Sequence, residues 1–183
     1  MKSREEIIGH RIILQRPEKT FHQAQISLAE IKESMAELKP WLDWAEDDYG
    51  VEEAYEYLLL CDSGWISGKE FDFALKNSAG DFMGMISALN INENAKSMEI
   101  GYWISSRFCG KGYMQEAVSL LEKEFFEQGI NRIVIKTDIL NVKSANVAQR
   151  CGYILEGVLR QESFSKNEQR YRDINVFSKL RKS

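Results

Sequence analysis

The sequence predicts an α+β fold built on one mixed β-sheet flanked by helices, and three observations carry that expectation. Three strand-like runs between Phe71 and Ile104 follow one another through short polar turns, the pattern of an antiparallel meander. A helical run from Tyr113 then separates the third of these from a strand-like run at Ile133. The two become parallel neighbours with a right-handed crossover. Helical periodicity before Phe71 and two strand-like runs after Tyr153 complete the layers. The expected sheet is antiparallel in its N-terminal half, with a parallel pair around the helix that follows the glycine loop. At 183 residues, a single domain spanning 1–183 is expected.

Taken in order, Arg11 to Arg16 reads as a first strand stopped by Pro17. From Glu18 to Lys39, apolar residues recur at three- and four-residue steps, which predicts one or two helices ended by Pro40. Trp41-Leu-Asp-Trp44 and the carboxylates Glu46, Asp47 and Asp48 follow, then a short helix over Glu52 to Leu60. Phe71–Lys76, Phe82–Asn90 and Met98–Ile104 are the meander. In the last, alternation sets Glu99, Gly101 and Trp103 on one face and Met98, Ile100, Tyr102 and Ile104 on the other. Met114, Ala117, Val118, Leu121 and Phe125 make a helical stripe that Gly129 closes. The strand Ile133–Thr137, a short helix from Asn141 to Arg150 closed by Cys151-Gly152, and strands over Tyr153–Glu162 and Arg170–Leu180 finish the chain.

Composition narrows function by exclusion. A net charge of −4 argues against nucleic acid, which wants a clustered basic face. Cys61, Cys109 and Cys151 are scattered and odd in number, as free thiols of a reducing cytoplasm are. His10 and His22 have no cysteine at ligand spacing, so no metal is expected. The opening Met1-Lys-Ser-Arg-Glu-Glu does not read as a secretory signal, and no apolar run approaches the ~20 residues of a membrane span. A soluble cytoplasmic protein is expected.

The stretch Arg107-Phe-Cys-Gly-Lys-Gly-Tyr-Met-Gln-Glu-Ala117 stands between a strand and a helix. Two glycines there let a ligand approach the main chain, and the helix N-terminus aims N–H groups and about half a positive charge at it. Arg107 and Lys111 add full charges. The alternative is a turn that needs two glycines for geometry alone. No G-x-x-x-x-G-K-[ST] is present, and Gln115 stands where a third dinucleotide-type glycine would.

Arg107-Phe-Cys-Gly110-Lys-Gly112 resembles the [QR]-x-x-G-x-[GA] loop of the GNAT superfamily of acetyl-CoA-dependent N-acetyltransferases, and the order of elements around it matches. Glu99-Ile-Gly-Tyr-Trp103, Gly110 to Ala117, Asn141-x-x-Ser144, Cys151 to Arg160 and Lys39 to Trp44 resemble the RimJ/RimL-type branch, which acetylates protein N-termini. The resemblance implies a GNAT-like sheet and acetyl-CoA as co-substrate. It places the pyrophosphate on Arg107, Cys109, Gly110, Lys111, Gly112, Tyr113 and Met114. Pantetheine falls to the backbone of Trp103, Ile104 and Ser105, exposed where the strand splays from its parallel neighbour, and to Asn141 and Asn146.

Acetyl transfer needs an amine relieved of its proton, a stabilised oxyanion and a protonated leaving thiolate. Glu99 is the candidate to relay the amine proton through water, because burial on a central strand raises a carboxylate pKa; an ion pair is the alternative. Ser144 is the donor that the Asn-x-x-Ser resemblance implies, with a role in the first helical turn capped by Asn141 as the alternative. Two departures stand out: no tyrosine lies between Asn141 and Arg150, and Ser163, beside Glu162, stands where some branch members carry a glutamate. Direct attack is expected rather than an acyl intermediate on Cys109. Trp41, Trp44 and Tyr102 are the expected substrate-binding residues, with core packing the other reading of the tryptophans. The acceptor is expected to be a protein N-terminal α-amine of the ribosomal-protein type. The alternatives are a small amine (aminoglycoside, polyamine or amino acid) or a non-catalytic acyl-CoA-binding role. Exposed strand edges suggest a homodimer.

Overall fold

Eight strands and five helices alternate along the chain: β1 (Glu6–Ile8), β2 (Ile12–Gln15), α1 (Phe21–Glu33), α2 (Met35–Leu38), α3 (Val51–Ser67), β3 (Phe71–Asn77), β4 (Phe82–Asn92), β5 (Ser97–Ile104), α4 (Tyr113–Glu127), β6 (Arg132–Asp138), α5 (Val142–Arg150), β7 (Ile154–Ser165) and β8 (Arg170–Leu180). The structure, a computed structural model, describes residues 1–182. The strands form one sheet in the order β1-β2-β3-β4-β5-β6-β8-β7. Only β5 and β6 run parallel, the pair expected from the helix between them.

That parallel pair is short. Ser97, Met98 and Glu99 lie opposite Arg132, Ile133 and Val134, and the pairing stops there. β5 keeps β4 as far as Ile104, whereas β6 keeps β8 as far as Asp138. A wedge therefore opens between the second half of β5 and β6.

The alternation read from β5 holds. Met98 and Ile100 enter the main core with Met114, Val118 and Phe125 of α4 and Phe71, Phe73 and Ile86 of the sheet. Trp103 packs on the other side, with Cys61, Ala74, Phe82 and Met85. α1 and α3 meet through Ala24, Ala54 and Leu58, with Phe21 stacked on Tyr55 at 4.1 Å between ring centroids.

Two features, β1 and the length of α3, differ from the sequence expectation, and the one or two helices expected after Glu18 are two. β1 was not anticipated, because three residues are too few to show alternation; it forms by pairing with β2. The helical run after Glu18 breaks at Ser34, whose hydroxyl instead accepts from the Ser106 N–H at 2.9 Å. α3 continues past Leu60 to a left-handed cap at Gly68, because Cys61 and Trp65 bury against the sheet and outweigh the polar Asp62-Ser63-Gly64.

The β7–β8 hairpin reaches back to the Trp41–Trp44 segment. Asn167 Nδ2 donates to the carbonyls of Lys39, Leu42 and Ala45 at 3.0, 3.2 and 3.3 Å. Arg172, 6% exposed, donates to Asp43 at 2.9 Å, Ser165 Oγ at 2.7 Å and the Pro40 carbonyl at 3.3 Å. Arg172→Ala should destabilise the fold by about 3 kcal/mol, since it strands buried acceptors. Thermal unfolding measures this, and an unchanged midpoint would leave the segment held by Asn167 alone.

Candidate active site

The loop from β5 to α4 borders the wedge. Gly110 and Gly112 take φ of 75° and 78°, the left-handed backbone that glycine adopts without strain. A side chain at Gly110 would project into open space, with no atom within 4 Å of its Cβ. No side chain caps α4, so its leading N–H groups and its dipole face that space.

Protein groups hold the loop from behind. Arg11 donates from Nη1 to the Lys111 carbonyl at 2.9 Å and from Nη2 to the Gly112 carbonyl at 3.3 Å, while its Nε binds Glu116 at 2.8 Å. With the carbonyls turned back to Arg11, the opposite edge of the loop presents donors. Nothing in the spacing of Arg11 marks it for this work.

Two expected charges lie elsewhere. Arg107 pairs with Glu30 and, at 3.5 Å, with Glu33; the Glu30 hydrogen bond and charge hold its pKa above the ordinary value. Glu30 is 8% exposed and needs that counter-charge, so the guanidinium ties the loop to α1 instead of facing the cleft. Lys111 Nζ donates to the Arg107 carbonyl at 2.9 Å. The positive charge on the cleft wall comes from Lys143 and Arg150.

The cleft holds about 450 Å³. Of the expected cofactor residues, Trp103, Ile104, Cys109, Gly110, Gly112, Tyr113, Met114, Asn141 and Asn146 line it, as does Ser144. Ser105 lies behind the wall, fully buried, its N–H donating to the Met83 carbonyl at 2.8 Å. Successive strand N–H groups point opposite ways, so the Ile104 N–H faces the wedge and Ser105 does not. The Cys109 thiol, raised chiefly by burial, remains protonated at neutral pH, which disfavours an acyl-cysteine.

Ser144 and Asn141 divide two jobs. Asn141 Oδ1 accepts the Ser144 N–H at 3.0 Å and caps α5. The Ser144 hydroxyl is left for Tyr102, whose phenol oxygen lies 3.0 Å from Ser144 Oγ and 3.2 Å from the Ser144 carbonyl. Burial pushes the Tyr102 phenol up to about 12, so it stays protonated at neutral pH. Tyr102 thus stands on this cleft, because even-numbered residues of β5 lie on the face that α4 and α5 cover. Trp41 lines the same cleft.

A second cavity of about 420 Å³ lies under α1 and α3, and Trp103 is on the wall of both. Trp44, Tyr49, Tyr57 and Met85 form its apolar sides, and Glu46, Asp48, Glu53 and Glu56 also line it. Trp44 meets Trp103 edge-on at 6.1 Å. Glu99 is on neither wall. Its carboxylate lies 3.5 Å from Lys136 Nζ and accepts from Asn90 at 3.3 Å. Leu89 covers the strand between Glu99 and Trp103: its Cδ1 is 2.9 Å from where a Gly101 Cβ would stand. Among the described residues no acid, histidine or cysteine cluster suits a metal, and no helix is long and apolar enough to cross a membrane.

This geometry has counterparts. The pattern of the acetyltransferase (GNAT) domain family matches residues 11–154. The ribosomal-protein-serine acetyltransferase of Escherichia coli is 35% identical over 101 residues, 55% of each chain. The putative ribosomal N-acetyltransferase YdaF of Bacillus subtilis is 39% identical over 82 residues, 44% of this chain and 45% of that protein. The chain thus matches about half the length of these curated relatives. Among solved structures, the microcin C7 self-immunity acetyltransferase MccE, in complex with acetyl-CoA and AMP, superposes with a TM-score of 0.86 at 26% identity, covering 93% of this chain and 92% of that one. RimL, the ribosomal L7/L12 α-N-protein acetyltransferase in complex with coenzyme A, shares the fold with a TM-score of 0.88 at 24% identity, over 96% and 98% of the two chains. The family match spans most of the chain and includes the glycine loop and the wedge: the protein belongs to the acetyltransferase (GNAT) domain family.

Proposed function

We propose that this enzyme acetylates a protein N-terminal α-amine by direct attack, at the point where its two cavities share Trp103. That junction is the observation that carries the reading. Acetyl-CoA, when bound, supplies an acetyl group activated as a thioester. The N–H groups of the Gly110–Gly112 loop and the α4 N-terminus suit its pyrophosphate, with Lys143 and Arg150 nearby. The Ile104 N–H is placed to stabilise an oxyanion, an interaction of about 3 kcal/mol in enzymes. Ser144, held by Tyr102, relays to the leaving sulfur the proton that the attacking amine sheds through water, so its own hydroxyl is restored.

The acceptor identity rests on the ribosomal-protein relatives and on proton chemistry. An α-amine of pKa ~8 is roughly a tenth neutral at pH 7, against less than about a thousandth for a lysine amine of pKa ~10.4. Glu99, the expected proton relay, lines neither cavity, and transfer without that relay suits the α-amine. Glu99 is assigned to its Lys136 ion pair, so Glu99→Gln should cost the same small factor, roughly twofold, at every pH. A loss concentrated at neutral pH and absent at high pH would restore it as the proton relay.

The direct test is thiol release from acetyl-CoA with a serine-initiated peptide, with and without a blocked α-amine. Release only from the unblocked peptide is expected; release from lysine or small amines alone would overturn the reading. A second copy of the chain is part of the same proposal. β7 is an edge strand with Ile154, Leu155, Val158 and Leu159 exposed. Edge strands of this kind pair. Sedimentation should report a dimer, and a monomer at micromolar concentration would remove it.

A further inference from the structure

The acceptor cavity has a buried carboxylate behind its wall. Register places Asp72, Ser87 and Gly101 in one row across β3, β4 and β5, next to the row of Ala74, Met85 and Trp103, on the same face. Asp72 is 5% exposed. Its Oδ1 accepts from the Tyr57 phenol at 3.0 Å and from Ser87 Oγ at 2.5 Å. Its carbonyl accepts from Trp65 Nε1 at 2.9 Å, which fixes the strand under α3.

Two hydroxyls solvate this carboxylate, yet it forms no ion pair among the described residues. The other buried carboxylates contrast with it: Glu30 has Arg107, Glu122 has Lys179, Glu124 has Arg4 and Asp138 has Arg170. A buried charge without a counter-charge is unfavourable. Tyr57, its link to the cavity, is on the cavity wall, and no lysine, arginine or histidine lines that cavity. Burial, then the Asp72 charge, hold the Tyr57 phenol well above its ordinary pKa, so it remains a donor. The aromatic rings of Trp44, Tyr49 and Tyr57 add faces suited to a cation.

We infer that Asp72, through Tyr57, is the specificity determinant for a second positive charge on the acceptor, a cationic group apart from the amine that is acetylated. Two strand spacings, about 10 Å, separate β3 from the β5 position of Trp103, and this sets the spacing of the two groups. A basic side chain close to a peptide N-terminus and a free diamine share that chemistry. The inference rests on the acetyl-transfer reading above.

The test compares two probe pairs at saturating acetyl-CoA: the peptide Ser-Lys-Ala-Ala against its norleucine counterpart, and 1,5-diaminopentane against pentylamine. Binding is followed by the fluorescence of Trp44 and Trp103, and turnover by thiol release. The dicationic member of at least one pair should bind about tenfold more tightly, and the pair that shows the preference identifies the source of the charge. Asp72→Asn should reduce the preference to within about twofold, in KM rather than kcat, with acetyl-CoA affinity and melting temperature retained. No preference in either wild-type pair, or a preference that survives in Asp72→Asn, overturns the inference. Calorimetry with acetyl-CoA separates the two readings: failure to bind it removes the acetyl-transfer reading, whereas binding without cation preference removes only this one. If Asp72→Asn unfolds, Tyr57→Phe, which removes the phenol that joins Asp72 to the cavity, takes its place, and a preference that survives there overturns the inference.

Discussion

Gly110→Asp is expected to abolish acetyl-CoA binding, with a loss in affinity of at least about a hundredfold by calorimetry. Three effects act together. The residue has φ 75°, where a β-carbon is disfavoured. Its side chain would enter the open space before α4, because no protein atom lies within 4 Å of that Cβ. A carboxylate there would oppose a pyrophosphate through the same field that attracts it. Because the space is open, the fold should survive, and unfolding should shift little. Undiminished affinity would return the loop to a purely structural turn.

Ser144→Ala is expected to lower kcat by about a hundredfold with acetyl-CoA affinity nearly unchanged, the signature of a group needed in the transition state. Asn141 still caps α5 in that variant, so helix stability is not the cause of the loss. Tyr102→Phe keeps Ser144 but removes the phenol 3.0 Å from its hydroxyl. It should produce a smaller loss, about tenfold, since Ser144 then lacks its positioning partner. Normal turnover in both variants would assign the pair to structure, with solvent protonating the sulfur. The pH profile adds a check: with its phenol pushed up to about 12, Tyr102 should contribute no limb below pH 10.

Much of the fold is legible in local pattern. The meander, the crossover helix and the parallel pair follow from period-two and period-3.6 spacing, and glycines mark the loop. Where the pattern misled, a tertiary contact prevailed: Trp65 carries α3 through polar residues, and β1 exists only because β2 is beside it. In the candidate site, the glycine loop was noticed from local spacing, and Asn141 and Ser144 through the Asn-x-x-Ser resemblance, because each motif lies within a few residues of chain. The ion pair of Arg107 was not legible for the opposite reason. Its partner Glu30 is 77 residues away, and an arginine beside a glycine loop looks like a phosphate ligand until that carboxylate is seen.

The sequence by itself determined the class of fold, the family and the place of the glycine loop between strand and helix, because these depend on residues close along the chain. Only the tertiary structure decided which charges reach the cleft, that Tyr102 meets Ser144 across 42 residues, and that Asp72 is buried without a cation among the described residues. Those properties arise from desolvation and from distances between elements, which no local spacing encodes. Arg11 and Arg172 make the same point: each braces the site from 100 or more residues away, through carbonyl oxygens that every residue type possesses.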